Sequence, residues 1–316
     1  MSDESYFDLL PQDDILAIPG AVFVTKSPER YKVWHKAKSA PHRPLADVVD
    51  DDGIQRGVSP DLKSAFLVDT QTARRLRLEP HKLRRVLTGG RHVKRYFIEY
   101  PDLLLIYTTR HDDPGGFPNI LRYIEQFKDQ ITCREVGQKK HPLYALHRPR
   151  QERIFLKAEK VLGVITQDEI VVAPDRRQTF ATDGLYLFGV RESIQMNYVL
   201  GILNSRLFVF LYRLLALEKG RVLAQVKPAT LLGLPIRIID FDDPQDVARH
   251  DKMVALVERM LDLHKKLAAA TIPADMKLYQ RQIEATDEEI DALVYELYGL
   301  TEGEIEIVEG LERSTR

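Results

Sequence analysis

The chain has 316 residues, 44% of them hydrophobic and 29% charged, with 46 Lys and Arg against 47 Asp and Glu. A chain of this length buries one large core or two ordinary ones, and its balance excludes both a cross-linked mini-protein and disorder throughout. The single cysteine, Cys133, closes no intrachain disulfide and builds no thiolate metal site, which points to a reducing, cytoplasmic setting.

The opening string Met1-Ser-Asp-Glu-Ser-Tyr-Phe-Asp8 is acidic and has neither the basic start nor the apolar core of a secretory signal. Residues 1–45 read as a lead-in: a strand-like Ala21-Val-Phe-Val24, a short helix over residues 28–38, then Pro41 and Pro44 as punctuation. Residues 46–192 read as a strand-rich mixed lobe. Ala65-Phe-Leu-Val-Asp69, Tyr96-Phe-Ile-Glu-Tyr100, Leu103-Leu-Leu-Ile-Tyr107, Ile154-Phe-Leu156, Val161-Leu-Gly-Val-Ile165, Ile170-Val-Val172 and Leu185-Tyr-Leu-Phe188 are apolar runs of strand length. Lys82-Leu-Arg-Arg-Val-Leu87 is too short and too basic for a core helix, and with the Thr88-Gly-Gly-Arg91 turn it predicts a flexible surface segment. Ile120, Tyr123, Ile124 and Phe127 stand at helical spacing.

Residues 193–316 read as a helical lobe. Residues 194–217 have the 3.6 period of a buried helix pair hinged near Asn204-Ser-Arg206, and Asn204, Ser205, Arg206 and Arg213 break up the most apolar window, so no membrane span is expected. Val247, Met253, Val254, Val257, Met260, Leu261 and Leu267 form the stripe of a long amphipathic helix over residues 246–270. Two helices follow, over residues 275–284 and 287–298, the second with Thr286 as N-cap, Glu289 at the third helical position and Gly299 as its stop. The expected class is α+β, a strand-rich mixed lobe followed by a helical lobe with long amphipathic helices.

Charge is unevenly spread. Between residues 74 and 95 stand Arg74, Arg75, Arg77, Lys82, Arg84, Arg85, Arg91, Lys94 and Arg95 against one acid, Glu79. A second cluster holds Lys139, Lys140, His141, Arg148, Arg150, Arg153, Lys157 and Lys160, and the pairs Arg176-Arg177 and Lys219 with Arg221 follow. Residues 284–312 carry eleven acids and no Lys or Arg. Cations in such runs neutralise phosphates and release counterions, although a charge run also serves plain solvation. The nine histidines show no zinc-like spacing, no Gly-x-Ser-x-Gly turn exposes a nucleophile, and no glycine-rich turn joins a strand to a helix. Neither Pro101-Asp102 nor Pro174-Asp175 has the acid-x-Lys of a nuclease downstream. No catalytic residue, metal site or cofactor site is expected in this chain.

Gly53-Ile-Gln-Arg-Gly57 followed by Ala65-Phe-Leu-Val-Asp69 resembles the opening of the target-recognition region of adenine-specific DNA methyltransferases in type IIG restriction-modification systems. Tyr198-Val-Leu-Gly-Ile-Leu-Asn-Ser-Arg-Leu-Phe208, then Leu234-Pro-Ile236, resembles the TaqI-like C-terminal specificity domain of that family, and residues 281–302 are similar to its terminal helices. The resemblance runs over residues 45–310. Arg56 departs from it, and the family's methyltransferase domain, with its cofactor-binding glycines and Pro-Pro-Tyr loop, has no counterpart in these residues. The resemblance implies a sequence-specific double-stranded DNA recognition module, either a separate specificity subunit or a piece of a split gene. S-adenosylmethionine would then belong to a partner methyltransferase domain or subunit, with a nuclease possible beside it. Asn204 and Ser205, Leu234-Pro-Ile236, and Tyr295 with Tyr298 read as structural. The candidate DNA contacts are Arg84, Arg85, Arg91, Lys94, Arg95, Lys139, Lys140, Arg148, Arg150, Arg176 and Arg177. The rival expectations are a degenerate stand-alone methyltransferase and a helical protein-interaction scaffold.

Overall fold

The switch of period near residue 192 corresponds to a change of architecture. The computed structural model describes residues 28–216 and 224–313 and is α+β, with both four-stranded sheets in one compact unit and the long helices in another. The helical unit takes Met1–Asp50, Gln167–Val172 and Val190–Arg316; the strand-rich unit takes Asp51–Thr166 and Ala173–Gly189. The strand-like stretch expected at residues 21–24, and Lys219 and Arg221, lie outside the described residues.

In the helical unit, α1 (Pro28–Ser39) buries Tyr31, Val33, Trp34 and Ala37. It leads into β1 (His42–Pro44), which pairs antiparallel with β12 (Pro235–Arg237), Pro44 opposite Pro235. The expected hinge is real: α2 (Met196–Asn204) and α3 (Arg206–Leu215) are bent by 65° about Ser205. The Ser205 hydroxyl donates to the Ile202 carbonyl at 2.7 Å and accepts from the Phe208 N–H at 3.3 Å, so one side chain ends the first helix and caps the second. Asn204 does something else. Its side-chain amide accepts from the Val172 N–H at 3.1 Å and donates to the Val172 carbonyl at 3.0 Å, pairing with that backbone as a strand would. The helix pair is buried throughout except for half-buried Arg206, and no single helix among the described residues is long and apolar enough to cross a membrane.

The long helices α4 (Pro244–Ala269) and α5 (Pro273–Tyr298) run antiparallel, with Arg249 bonded to Glu296 at 2.7 Å and Arg259 to Glu289 at 3.1 Å. The apolar stripe of α4 is covered by α5 and α2 of the same unit. One helix stands where two are expected. Thr286 does not cap; it lies buried inside α5 and donates to the Gln282 carbonyl at 2.7 Å. Ile283, Thr286, Ile290 and Val294 share one buried face, and that burial carries the helix through the local start signal. Gly299 ends it in the left-handed region (φ 63°), as the sequence predicts. The acidic α6 (Glu302–Arg313) packs on α3 and α1, with Arg206 bridging Asp291 at 3.3 Å and Glu309 at 3.4 Å.

The end of α5 is fastened to the β1–β12 ladder through buried Tyr298, whose hydroxyl donates to the Pro235 carbonyl at 2.6 Å and accepts from the Arg237 N–H at 2.9 Å. Arg237 in turn holds Asp246 at 2.9 Å.

The strand-rich unit contains two four-stranded sheets. In the first, β10 (Phe180–Ala181), β4 (Leu83–Leu87), β7 (Leu104–Ile106) and β3 (Leu67–Val68) lie in that order, with β10 parallel to β4 and the other pairs antiparallel. In the second the order is β2 (Gln55–Arg56), β11 (Leu185–Phe188), β8 (Lys160–Val164) and β9 (Val172–Asp175). A short hairpin of β5 (Val93–Lys94) and β6 (Phe97–Ile98) completes the set.

The basic segment at residues 82–87 is therefore not a surface loop. It is the inner strand β4, with Val86 and Leu87 buried, and it tolerates its arginines because Arg84 is neutralised by Glu152 at 2.9 Å while Arg85 faces solvent. The Thr88-Gly-Gly turn is likewise only partly exposed, with Gly89 buried and Gly90 against Val164. Two other expected strands differ: residues 152–154 form a 3-10 turn, and in Ala65-Phe-Leu-Val-Asp69 a helical turn precedes a two-residue strand. Asp69 then caps the next helix by accepting from the Thr72 N–H at 2.6 Å.

Gly57 lets the chain pass directly against the end of β10. A Cβ there would run into the backbone carbonyls of Ala181 and Thr182. Gly57→Ala should lower stability by about 1–3 kcal/mol, read as a lower urea midpoint. A second expectation concerns acid. Burial works against the Asp246 carboxylate, but the Asp240 N–H and the Arg237 and Arg249 guanidiniums outweigh it and hold its pKa below the usual carboxylate value. Such a group contributes stability that is present above its unfolded pKa of about 4 and lost as pH falls through the folded value. The urea-midpoint gap between wild type and Asp246→Asn should be widest near neutral pH and close as pH is lowered below about 4.

Candidate nucleic-acid interface

The strand-rich unit carries 24 Lys and Arg against 16 Asp and Glu, a net charge of +8, which leaves −9 on the remaining sequence of a chain whose total is −1. All eleven candidate contacts belong to this positive unit. Their surroundings divide them.

Arg84 is committed inside the fold: besides Glu152 it donates to the His81 carbonyl at 2.7 Å, and its guanidinium lies 5.9 Å from the centre of the Phe180 ring. Arg176 is bonded to Glu159 at 2.7 Å. Arg150, half-buried and left-handed at φ 62°, donates to the Gly57 carbonyl at 3.2 Å; burial, with the neighbouring Arg148 and Arg56 charges, lowers its pKa. Arg95 lies half-buried over the Tyr96 ring. Arg85, Arg91, Lys94, Lys139, Lys140 and Arg148 are exposed and make no ion pair among the described residues. An exposed cation without a carboxylate partner keeps its full charge available to a phosphate.

The turn after β9 is the most ordered part of this surface. Asp175 is fully buried, and its carboxylate takes five hydrogen bonds. One oxygen accepts from the Lys160 ammonium at 2.6 Å and the Thr179 N–H at 2.9 Å. The other accepts from the Tyr100 hydroxyl at 2.9 Å, the Arg177 N–H at 3.1 Å and the Thr179 hydroxyl at 3.1 Å. Lys160 is also fully buried and donates to the Phe155 carbonyl at 2.7 Å; burial lowers its pKa, with Asp175 opposing that shift. Burial and the Asp175 charge raise the Tyr100 pKa well above its ordinary value, so its hydroxyl stays protonated and donating. Tyr100 follows β6, so its bond draws the exit of the β5–β6 hairpin, with Lys94 and Arg95 on it, to the Arg176-Arg177 turn.

Backbone strain is concentrated in the same unit. Among the described residues the non-glycine positions with positive φ are Arg77, Tyr96, Lys139, Arg150 and Gln178. All five belong to the strand-rich unit, and an L residue in this region costs about 1–3 kcal/mol that surrounding contacts must hold. For Gln178 one of these is visible: its side chain donates to the Leu156 carbonyl at 2.8 Å.

The structure thus brings Arg176 and Arg177 to Tyr100 and Asp175, while Arg95 lies on Tyr96 and Arg84 on Phe180. It shows no contact joining Lys139 and Lys140 to that group; they follow a separate helical turn, Arg134–Gly137. Lys160, which the sequence places in the second basic cluster, is fully buried. Tyr100, Asp175 and Gln178 are not among the candidate contacts, and nothing local in the sequence marks them, since the bond between Tyr100 and Asp175 spans 75 positions.

With this geometry in view, residues 85–236, just under half the chain, match the family described as the TaqI-like C-terminal specificity domain. Among solved structures the chain is similar to the type IIL restriction-modification enzyme MmeI, solved in complex with DNA, at 13% identity and a TM-score of 0.52 over 84% of this chain and 35% of that one. It also aligns with the type IIG restriction endonuclease BpuSI at 13% identity and a TM-score of 0.42, over 86% of this chain and 34% of that one. The chain spans about a third of the length of either enzyme. No curated protein matches it.

The buried pair generates a prediction about stability. Lys160→Met leaves the Asp175 carboxylate buried without its counter-charge, and should cost about 3–5 kcal/mol. Adding Asp175→Asn restores a neutral acceptor for the remaining donors, so the double variant should be more stable than Lys160→Met alone in urea denaturation.

Proposed function

We propose, from the premise that residues 85–236 are a TaqI-like C-terminal specificity domain, that this chain is the sequence-specific double-stranded DNA recognition module of a restriction-modification adenine methyltransferase. The observation that carries this reading is the net +8 of the strand-rich unit together with its exposed, unpaired cations. The module docks on duplex DNA through phosphates and reads a short sequence with a few side chains. Methyl transfer, and any linked cleavage, belongs to a methyltransferase domain or subunit that binds S-adenosylmethionine and takes the target adenine out of the stack. On this reading the chain itself binds no S-adenosylmethionine.

Arg85, Arg91, Lys94 and Arg148 act as phosphate clamps, with Lys139 and Lys140 adding to the same field. Arg84 supports the surface by its pairing with Glu152. The acidic helical unit serves stability and attachment to the methyltransferase part.

The test is duplex affinity measured against salt, for the full chain alone and mixed with its methyltransferase component. Arg85→Ala, Arg91→Ala and Lys94→Ala should each weaken binding to all sequences alike and reduce the salt slope by about one. Wild-type affinity that does not change with salt would end the DNA-recognition reading and favour the helical scaffold.

A further inference from the structure

Arg177 is held in a state that the other exposed cations do not share. Its guanidinium carbon lies 4.2 Å from the centre of the Tyr100 ring, its main-chain N–H is fixed to the buried Asp175 carboxylate, and yet its side chain is exposed and pairs with no carboxylate among the described residues. Neighbouring Arg176 is tied to Glu159. The ring beneath Arg177 is itself anchored, because the Tyr100 hydroxyl bonds to Asp175, which Lys160 and Thr179 hold in turn. The next residue, Gln178, is set in the left-handed region (φ 53°) and fastened to the Leu156 carbonyl. Backbone, ring and following residue are all fixed, and the donors of the guanidinium are left over.

A phosphate clamp does not require such fixing, since a point charge on a flexible stem also neutralises a phosphate. Fixing helps where direction matters, because a guanidinium held against an aromatic ring has met part of its entropy cost in the folded state. A planar fork can grip phosphate oxygens, and among base edges in the major groove it matches the O6 and N7 pair of guanine.

We propose that Arg177 is a base-reading residue that selects guanine at one position of the recognised duplex, with Tyr100, Asp175 and Lys160 as positioning residues. This rests on the DNA-recognition reading above and adds to it a named reader and a named base. Arg177 determines which site is bound, whereas the clamps determine how tightly any duplex is held.

The experiment selects preferred sites from a randomised duplex pool with the full chain and its methyltransferase component, then measures salt-dependent affinity for the selected site and its single-base variants. Thermal melting confirms that each variant is folded. Arg177→Ala should lose the preference for guanine at one position by roughly 5- to 150-fold, leaving every other position unchanged, and Arg177→Lys, which can still donate to guanine but lacks the planar fork, should weaken the preference at that position only. Arg177→Lys, which keeps the charge, should leave the salt slope as it was. Tyr100→Phe keeps the ring but loses its anchor and should weaken the preference in part, while Tyr100→Leu, which removes the ring, should weaken it further at that same position. An unchanged site profile for Arg177→Ala, or uniform weakening at all positions by that variant, would overturn the assignment while leaving the module a DNA reader. A wild-type protein that enriches no site would remove the reading and the assignment together.

Discussion

The strand-rich unit depends on one buried ion pair. Lys160 opens β8 and Asp175 closes β9, so their contact joins neighbouring strands of one sheet; through Thr179 the same carboxylate holds the chain as it enters β10 of the other. Removing two charges from water is costly, and the attraction between them offsets that cost only when the remaining lone pairs and protons are also satisfied. Here they are, by a backbone carbonyl on the lysine side and by four further donors on the carboxylate side. Such a pair is weak evidence of added stability, but breaking it by removing one partner is costly. In this unit the arrangement extends to the surface, because the groups that satisfy the carboxylate are the same ones that position Tyr100 and Arg177.

The near-neutral total charge conceals a division of labour. The strand-rich unit carries +8 and the remaining sequence −9, and a charge on either acts over a Debye length of about 8 Å at physiological salt. The acids are not idle in their own unit. Asp246, Glu296, Asp291 and Glu309 are bound to Arg237, Arg249 and Arg206, stitching helix ends to each other and to the β1–β12 ladder. In the positive unit, by contrast, many cations have no carboxylate to spend their charge on.

What could be read from the sequence was what depends on neighbours along the chain. The hinge at Ser205 was legible because a serine interrupting an apolar helix can both end and cap it, and Gly299 because a left-handed helix stop needs no distant partner. Thr286 shows the limit of the same logic: the capping pattern is present, but burial of Ile283 and Ile290 on one face outweighs it. The β4 strand was illegible for the opposite reason, since a run holding two adjacent arginines becomes an inner strand only when Glu152, 68 positions away, neutralises one of them. The list of candidate contacts was drawn from charge alone. Charge locates the positive unit, but it cannot separate Arg84, turned inward, from Arg177, turned outward on a ring.

The chain leaves the helical unit after Asp50 and returns at Val190, and the two ends lie side by side there: Val49 bridges Val190, and the Arg191 N–H bonds to the Val48 carbonyl at 3.0 Å. Everything between is, in effect, an insertion with its mouth pinned shut. Residues 51–189 thus leave and rejoin the helical unit at neighbouring points. The exception is a short return visit, Gln167–Val172, whose backbone is paired by the Asn204 side chain. Any segment put in place of residues 51–189 would therefore have to present a backbone able to meet that asparagine.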